Sequence, residues 1–279
     1  MKITLTNYAL MGNPVSHSKS PDIHHYFSKQ TGIAMDYEAI LVPLQGFRDA
    51  LASFQKQAGR GLNITLPFKQ QAFMLMDKLG KAAQQAGAVN TIVFYPDGTR
   101  YGENTDGIGF LQDYIQNHDG EISGKRILIL GAGGAARGIL GPLLSQQPKS
   151  VMIANRTQCK ALVLEQDFNK YGPVLAVDYE SISKHTYDII INATSTSLSS
   201  ELPPLSSDIF ENRPWCYDMA YQKKLTPFLL FAKAHGASQC IDGLGMLVEQ
   251  AAESFFLWHG IKPETLSIIK KIRKELDEN

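Results

Sequence analysis

The 279-residue sequence predicts an α/β protein of two domains. The first is an N-terminal α/β domain with a mostly parallel sheet, the second is doubly wound, and C-terminal helices return to the first. Three observations predict this. Strand-like and helix-like segments alternate through the N-terminal third, which requires crossovers and so parallel strands. The stretch Lys125–Ile139, KRILILGAGGAARGI, reads as a strand, a tight glycine turn and a helix start. A second series of apolar, β-prone runs follows it. The boundaries fall at residues 1–105 for the first domain, completed by helices over 244–279, and at 106–243 for the second.

Taken in order, Ile3–Met11 is a strand that stops at the turn cluster Gly12, Asn13, Pro14. Pro21 can open a helix whose apolar face carries Ile23, Tyr26 and Phe27. Asp36–Val42 is a second strand, and Phe47, Leu51 and Phe54 place an amphipathic helix after Pro43. Gly61–Leu66 is a strand stopped by Pro67; Phe68–Leu79 and Lys81–Gln85 read as helices, and Val89–Tyr95 as a strand. Pro96, Asp97 and Gly98 make a hairpin turn into Thr99–Glu103. Thr105–His118 reads as a connecting helix. Past the glycine turn come strands at Ser150–Ala154, Val174–Val177, Asp188–Asn192, Trp215–Met219 and Gln239–Ile241, with helices at Lys160–Asn169 and Pro227–His235. Leu198–Pro204 is a surface loop, and Leu247–His259 a long helix followed by a charged one.

Hydrophobic residues make up 44%, enough for full cores, and Lys+Arg equals Asp+Glu at 27 each. No net field draws the chain to nucleic acid or to an anionic membrane, so a small-molecule partner is expected. No run approaches the roughly 18 apolar residues that a membrane span needs. Cys159, Cys216 and Cys240 are far apart and lack metal-ligand spacing, which fits idle thiols in the cytoplasm and no metal.

In the glycine turn, Gly131 permits the bend, Gly133 lets backbone approach a pyrophosphate, and the small Ala136 allows close helix–strand packing. The helix start at Gly134 and Ala135, with Ala132 before it, would present N–H groups and a positive dipole end to phosphates. This is the context of a Rossmann-like dinucleotide site. An acidic residue about 20 positions on would favour NAD. The chain instead has Asn155, Arg156, Thr157 and then Lys160, and a guanidinium flanked by hydroxyl and amide suits a 2′-phosphate. NADP is the expected cofactor; a solvated arginine at a helix start is the alternative. Asn192, Ala193, Thr194 and Ser195 follow a strand at the sheet's carboxyl edge, either to meet a ribose or nicotinamide or simply to cap a helix.

The first domain gathers Asn63, Thr65 and Lys69 at one strand end and Asn104, Thr105 and Asp106 in a second polar cluster. Reduction of a ketone needs a proton donor beside the developing alkoxide. A lysine drawn out of bulk water releases its proton more readily, which makes Lys69 a candidate, with Asp106 to orient it. The bland alternative is two solvated surface residues. The seven histidines show neither metal spacing nor a nucleophilic partner and are read as structural or exposed.

These segments together resemble the shikimate dehydrogenases. The match runs through nearly the whole chain: GNPVSHSKSP from Gly12, NITLPFK from Asn63, GAVNT from Gly87, ENTDGIGF from Glu103, GAGGAARG from Gly131, NRT from Asn155, NATS from Asn192, YDMAY from Tyr217 and DGLGMLVEQAA from Asp242. The resemblance implies reversible NADPH-dependent reduction of 3-dehydroshikimate to shikimate in aromatic amino-acid biosynthesis. It implies that Ser18 and Ser20 hold the substrate carboxylate, and that Thr65, Asn90, Asp106 and Gln250 bind ring hydroxyls. Tyr221 would also reach the substrate, Met219 and Gly243 would lie by the nicotinamide, and Lys69 would transfer the proton with Asp106 as partner. The protein would be a monomer or homodimer. Three departures stand out: Lys81 stands where some relatives have an acidic residue near the cofactor, Lys160 replaces an arginine often found after NRT, and Ser197 stands near a common glycine. The competing readings are a quinate/shikimate dehydrogenase that uses NAD, which Arg156 argues against, and a non-catalytic NADP-binding sensor, which would not need Lys69 and Asp106.

Overall fold

The structure is a computed structural model that describes residues 6–194 and 202–278. The expected start of the first strand at Ile3, and the expectations attached to Ser195, Ser197 and the beginning of the Leu198–Pro204 loop, lie outside those residues. The chain forms two compact units, one of residues 1–109 and 248–268, the other of 110–247 and 269–279.

The first unit is built on a six-stranded mixed sheet. Its strands are β1 (Thr6–Gly12), β2 (Met35–Leu41), β3 (Gly59–Ile64), β4 (Lys78–Leu79), β5 (Thr91–Phe94) and β6 (Arg100–Glu103), in the order β2-β1-β3-β5-β6-β4. Pairings β1–β2, β1–β3 and β4–β6 are parallel, while β5 runs antiparallel to β3 and β6. The antiparallel β5–β6 pairing follows from the Pro96–Gly98 turn, where Gly98 at φ +89° lets the chain double back. Helices α1 (Ser20–Thr31) and α2 (Phe47–Lys56) come from the sequence segments expected to form them. Pro21 lies in α1's first turn, and α2 buries Phe47, Leu51 and Phe54.

The segment 68–79 departs from the expected single helix. Only α3 (Lys69–Phe73) is helical, and Lys78–Leu79 pair as β4 with Tyr101 and Gly102 of β6. Periodicity supplied apolar residues for a helix, but the same residues serve a turn into a sheet edge. Gly102 makes that possible, since a Cβ there would lie 2.5 Å from Met76 Cγ. Helix α4 (Lys81–Ala86) follows, its first turn held by Glu103 Oε1, which accepts the Ala83 N–H at 2.9 Å.

The second unit is doubly wound. Strands β7 (Arg126–Leu130), β8 (Ser150–Ala154), β9 (Val174–Val177), β10 (Ile189–Asn192), β11 (Trp215–Asp218) and β12 (Gln239–Asp242) are all parallel, in the order β9-β8-β7-β10-β11-β12. The order reverses between β7 and β10, and ligands bind at such a switch point in open α/β sheets. Ile127, Leu128, Ile129 and Leu130 are all buried, as a strand covered on both faces requires. Around the sheet lie α6 (Gly134–Ser145), α7 (Gln158–Phe168) and α8 (Pro227–Ala234).

Two helices carry the chain across the division. The expected connecting helix over 105–118 is α5 (Asp106–Leu111) continued by a widened π-helical turn over Gln112–Asn117. In that turn Asp113 is buried and accepts from the Tyr217 hydroxyl at 2.7 Å. Helix α9 (Leu244–His259) begins beside this pair, where a Cβ on Gly245 would strike Asp113 Oδ1. The last helix, α10 (Leu266–Glu278), splits between the units, and Arg273 ties its C-terminal part to the second by donating to the Asp242 carboxylate and the Gln222 carbonyl. Among the described residues, no helix is long and apolar enough to cross a membrane.

Candidate active site

In the first unit the polar residues expected to act together do meet. Strand β3 ends at Ile64, and Thr65 docks on β1 by donating its N–H to the Met11 carbonyl at 3.0 Å. That docking depends on Gly12, where a Cβ would come within 2.2 Å of Thr65 Cγ2. Phe68 then buries its ring against Phe47, centroids 4.9 Å apart, which fixes the base of α3 and so the root of Lys69. The Lys69 carbonyl also accepts the Val89 N–H at 2.9 Å.

The Lys69 ammonium donates to Asp106 Oδ2 at 2.6 Å. The other carboxylate oxygen accepts from Asn90 Nδ2 at 2.8 Å. Asp106 opens α5, and its own N–H donates to Asn104 Oδ1 at 3.1 Å, an Asx turn that sets the helix start. Both Asp106 oxygens are therefore committed, and the carboxylate cannot rotate without breaking a bond. Lys69 keeps 22% of its side chain exposed and Asp106 10%, so the pair is half-dry yet reachable. A lysine held this way can deliver or take a proton at a fixed point.

Asn90 is the hub of this cluster. Its Oδ1 accepts from the Thr105 N–H at 2.9 Å and the Thr91 hydroxyl at 2.9 Å, while Gln250 Oε1 lies 3.5 Å from its Nδ2. Gln250 enters from α9, as expected of a residue that serves this unit. Ser18 and Ser20 sit at the entry to α1, with Ser18 Oγ accepting the Ser20 N–H at 3.2 Å. Ser20 is buried and Ser18 half-buried.

In the second unit the glycine turn follows β7. Gly131 takes φ +103°, and a Cβ on it would lie 2.9 Å from the Ala193 carbonyl, so the turn after β7 and the one after β10 touch across the switch point. Gly133 and Gly134 differ: a Cβ on either would meet no protein atom within 4 Å. Their backbone faces open space at the N-terminus of α6, whose cap residue Gly133 offers no side chain to its N–H groups. That is the cradle a pyrophosphate needs.

Asn155 is not the free donor beside Arg156 that the sequence suggests. Its Oδ1 accepts the Ala132 N–H at 3.1 Å and its Nδ2 donates to the Thr157 carbonyl at 2.8 Å. It ties the glycine turn to the end of β8. Arg156, Thr157 and Lys160 are exposed, which leaves two cationic side chains and a hydroxyl at the surface just past β8. Thr194 donates its hydroxyl to Asn192 Oδ1 at 2.7 Å and so helps shape the turn after β10. Met219 and Gly243 adjoin at the ends of β11 and β12: a Cβ on Gly243 would lie 2.2 Å from the Met219 carbonyl oxygen. Tyr221 is half-buried, and burial raises its hydroxyl pKa.

Family models match three parts of this chain. The "Shikimate dehydrogenase substrate binding domain" covers residues 10–92, "Shikimate / quinate 5-dehydrogenase" 113–201, and "Shikimate 5'-dehydrogenase C-terminal domain" 243–273. A shikimate dehydrogenase (NADP(+)) from Aromatoleum aromaticum is 48% identical over 278 residues, 99% of each chain. The chain belongs to the shikimate dehydrogenase family. Solved structures agree. An Ael1 enzyme from Pseudomonas putida superposes with TM-score 0.90 at 42% identity, covering 95% of this chain and 97% of that one. A shikimate 5-dehydrogenase from Thermus thermophilus, in complex with NADP(H) and shikimate, gives 0.87 at 32%, covering 98% and 100%.

Within this shikimate dehydrogenase fold, sequence reasoning missed how much polar structure lies behind the expected site. Thr91, Ser254, Tyr37 and His24 all join the cluster around Asn63. No linear signal marks them, because β2, β5, α1 and α9 bring them from four separate stretches. A polar residue at an inward-facing strand position, such as Asn63 between Leu62 and Ile64, is the one hint available.

Proposed function

We propose that this chain catalyses the reversible reduction of 3-dehydroshikimate to shikimate with NADPH, in the cytoplasm, as a monomer or homodimer. The observation that carries the reading is the Lys69–Asp106 pair, held at 2.6 Å with Asn90 on the second carboxylate oxygen, in a family of this activity. The first unit, close to residues 1–105 with a contribution from the C-terminal helices, is the substrate domain; the second, close to 106–243, is the NADP domain.

Ser18 and Ser20 donate to the substrate carboxylate. Thr65, Asn90, Asp106, Gln250 and Tyr221 hold the ring hydroxyls and so decide which carbon is presented. Gly131 through Ala135 receive the pyrophosphate, and Arg156 with Thr157 and Lys160 takes the 2′-phosphate, Arg156 by a bidentate pair. Asn155 and Thr194 brace the turns, and Met219 and Gly243 border the nicotinamide. Bound NADPH would supply the hydride for the ketone carbon. Lys69 gives its ammonium proton to the ketone oxygen as negative charge develops there, becomes a neutral amine, and regains a proton from solvent. Asp106 stays a carboxylate throughout: it aims the ammonium and accepts from a substrate hydroxyl. In the oxidative direction the same lysine accepts the proton.

The test is an absorbance assay at the nicotinamide band with shikimate or quinate, each against NADP+ and NAD+. Turnover of shikimate with NADP+ well above the other three combinations is expected. Preference for quinate or NAD+ would move the chain to the quinate/shikimate reading, and no turnover with any pair would remove the enzyme reading.

A further inference from the structure

His24 lies wholly buried on α1, stacked on Tyr37 with ring centroids 4.2 Å apart and edged by Phe27 and Trp258. Its Nε2 is 3.2 Å from Asn63 Oδ1, and the Tyr37 hydroxyl is 2.8 Å from the same oxygen. The directions of these bonds follow from elementary chemistry. Asn63 Nδ2 sits 3.2 Å from the Asn90 carbonyl, which can only accept, so the amide group is fixed with its nitrogen there. Its oxygen therefore faces His24 and Tyr37 and can only accept. Tyr37 must donate its proton, and His24 must carry its own on Nε2. That leaves His24 Nδ1 as a bare lone pair, and this atom is indeed buried with no partner. Burial pushes the ring's pKa down to about 3, which keeps it neutral.

From Asn63 the bonds continue in one direction. Its Nδ2 lies 3.2 Å from Thr91 Oγ1; the Thr91 hydroxyl donates to Asn90 Oδ1 at 2.9 Å; Asn90 Nδ2 donates to Asp106 Oδ1 at 2.8 Å. At the other end, His24 and Tyr37 stand together on Asn63 Oδ1. Ser254 Oγ also lies 3.0 Å from Asn63 Nδ2 and 2.8 Å from Thr91 Oγ1. Along the path from His24 and Tyr37 to the Asp106 carboxylate the donors point the same way, so each bond polarises the next.

We propose that His24 and Tyr37 are positioning residues: by donating to one oxygen of Asn63 they help the Asn90 carbonyl hold its amide in the orientation that starts a hydrogen-bond chain to Asp106. The chain ends on the carboxylate that aims Lys69. This rests on the reading of those residues given above. Neither side chain touches the substrate; both act through Asn63.

The experiment measures shikimate oxidation by NADP+ in wild type, His24→Leu, His24→Gln and Tyr37→Phe, with the melting temperature of each. His24→Leu should lower kcat about tenfold with the KM for NADP+ unchanged, a cost of roughly one lost hydrogen bond to a buried acceptor. His24→Gln restores a donor but not the aromatic stack. Its kcat should recover to within about threefold of wild type while its melting temperature stays as low as that of His24→Leu. Tyr37→Phe, nearly isosteric, removes the second donor to Asn63 and should lower kcat about fivefold while sparing the KM for NADP+. As a readout independent of turnover, the ¹⁵N spectrum of His24 should show a neutral ring protonated on Nε2.

Equal kcat losses in both His24 variants, or none in either, would overturn the proposal, as would a ring protonated on Nδ1. If the leucine variant does not fold, the glutamine and phenylalanine variants decide: an unchanged kcat in Tyr37→Phe overturns the proposal. A wild type inactive on shikimate overturns the functional reading and this proposal with it. An active wild type with an equally active His24→Leu overturns the proposal alone.

Discussion

The two units prepare for their ligands with different materials. In the first, Asn63, Asn90, Thr91, Thr105 and Ser254 are all buried and satisfied mainly by one another, and they leave Asp106 and Lys69 at the accessible end. In the second, the turn after β7 offers backbone: Gly133 and Gly134 have no neighbours where a side chain would stand, and recognition beyond the turn falls to exposed Arg156 and Lys160. A buried polar network holds its members to one geometry because each unsatisfied group would cost ~1–3 kcal/mol. A backbone cradle needs only a permitted turn and empty space. The first arrangement suits proton transfer, where orientation decides the rate; the second suits a large anion, where charge and fit decide the affinity.

If the comparison holds, the largest effect belongs to the end of the network. Lys69→Met should lower kcat by about 10²–10⁴, the usual contribution of a positioned acid–base group, while the KM for NADP+ changes little. Steady-state kinetics in both directions check it, and a variant that keeps near-normal kcat removes Lys69 from the proton-transfer role. On the cofactor side the expected loss is one of affinity. Arg156→Ala should raise the KM for NADPH about ten- to a hundredfold, as removal of a charge-assisted pair does, and leave that for NADH nearly unchanged. Equal effects on the two cofactors would sink the 2′-phosphate assignment.

The turn itself separates fold from function at a single residue. Gly131→Ala puts a Cβ at φ +103°, 2.9 Å from the Ala193 carbonyl, so the variant should lose ~1–3 kcal/mol of stability in chemical denaturation. Stability equal to wild type would show that the two turns can part freely.

Acid tests the buried network over a higher pH range than the surface pairs. His24 is held neutral with its pKa near 3 against 6.5 when exposed. Between those values the unfolded chain binds a proton that the folded chain does not, so stability falls as pH drops below 6.5, by ~1.4 kcal/mol per unit for this one group. His259, also lowered by burial, adds in the same direction. Asp188, held at about 2 by Arg126, loses its contribution only as pH falls below 3.8, so most of the His24 window lies above that of Asp188. Urea unfolding at pH 7.5, 6.5 and 5.5 (chosen values, about one unit apart) should show a slope that His24→Gln flattens by about one proton. An unchanged slope in the variant would mean that His24 is not the group that resists protonation.

The same contrast explains what could be read in the sequence. The cofactor side is local: strand, glycines and helix start are consecutive from Arg126 to Ser145, and Asn155–Lys160 follows within one strand, so pattern and spacing suffice. Lys69 and Asp106 could be picked out as a candidate pair by chemistry, but Asn90 stands out only through the resemblance, since nothing in the spacing says that β3, β5 and α5 converge. His24 and Tyr37 read as ordinary members of apolar faces, and their bonds to Asn63 depend on the β1–β2 and β1–β3 pairings. The short α3 and β4 were hidden for a related reason. Apolar spacing over 68–79 fits a helix, and only the partner strand β6 turns Lys78–Leu79 into sheet.

The smallest change makes the sharpest test of the cradle. Gly133 has ordinary backbone angles, φ −89° and ψ −170°, and open space where a Cβ would go, so the folded chain itself does not require glycine there. Gly133→Ala should therefore leave stability within ~0.5 kcal/mol of wild type, as substitutions clear of packing usually do. If the space is kept for a pyrophosphate that approaches the backbone, the same methyl group should weaken NADP+ binding measurably, by calorimetry, with the KM for shikimate unaffected. Set beside Gly131→Ala, which strains the fold, this variant separates a glycine the turn needs from one the ligand needs. Undiminished NADP+ affinity in Gly133→Ala would place the phosphates elsewhere along the α6 N-terminus and leave Arg156 as the anchor of the cofactor.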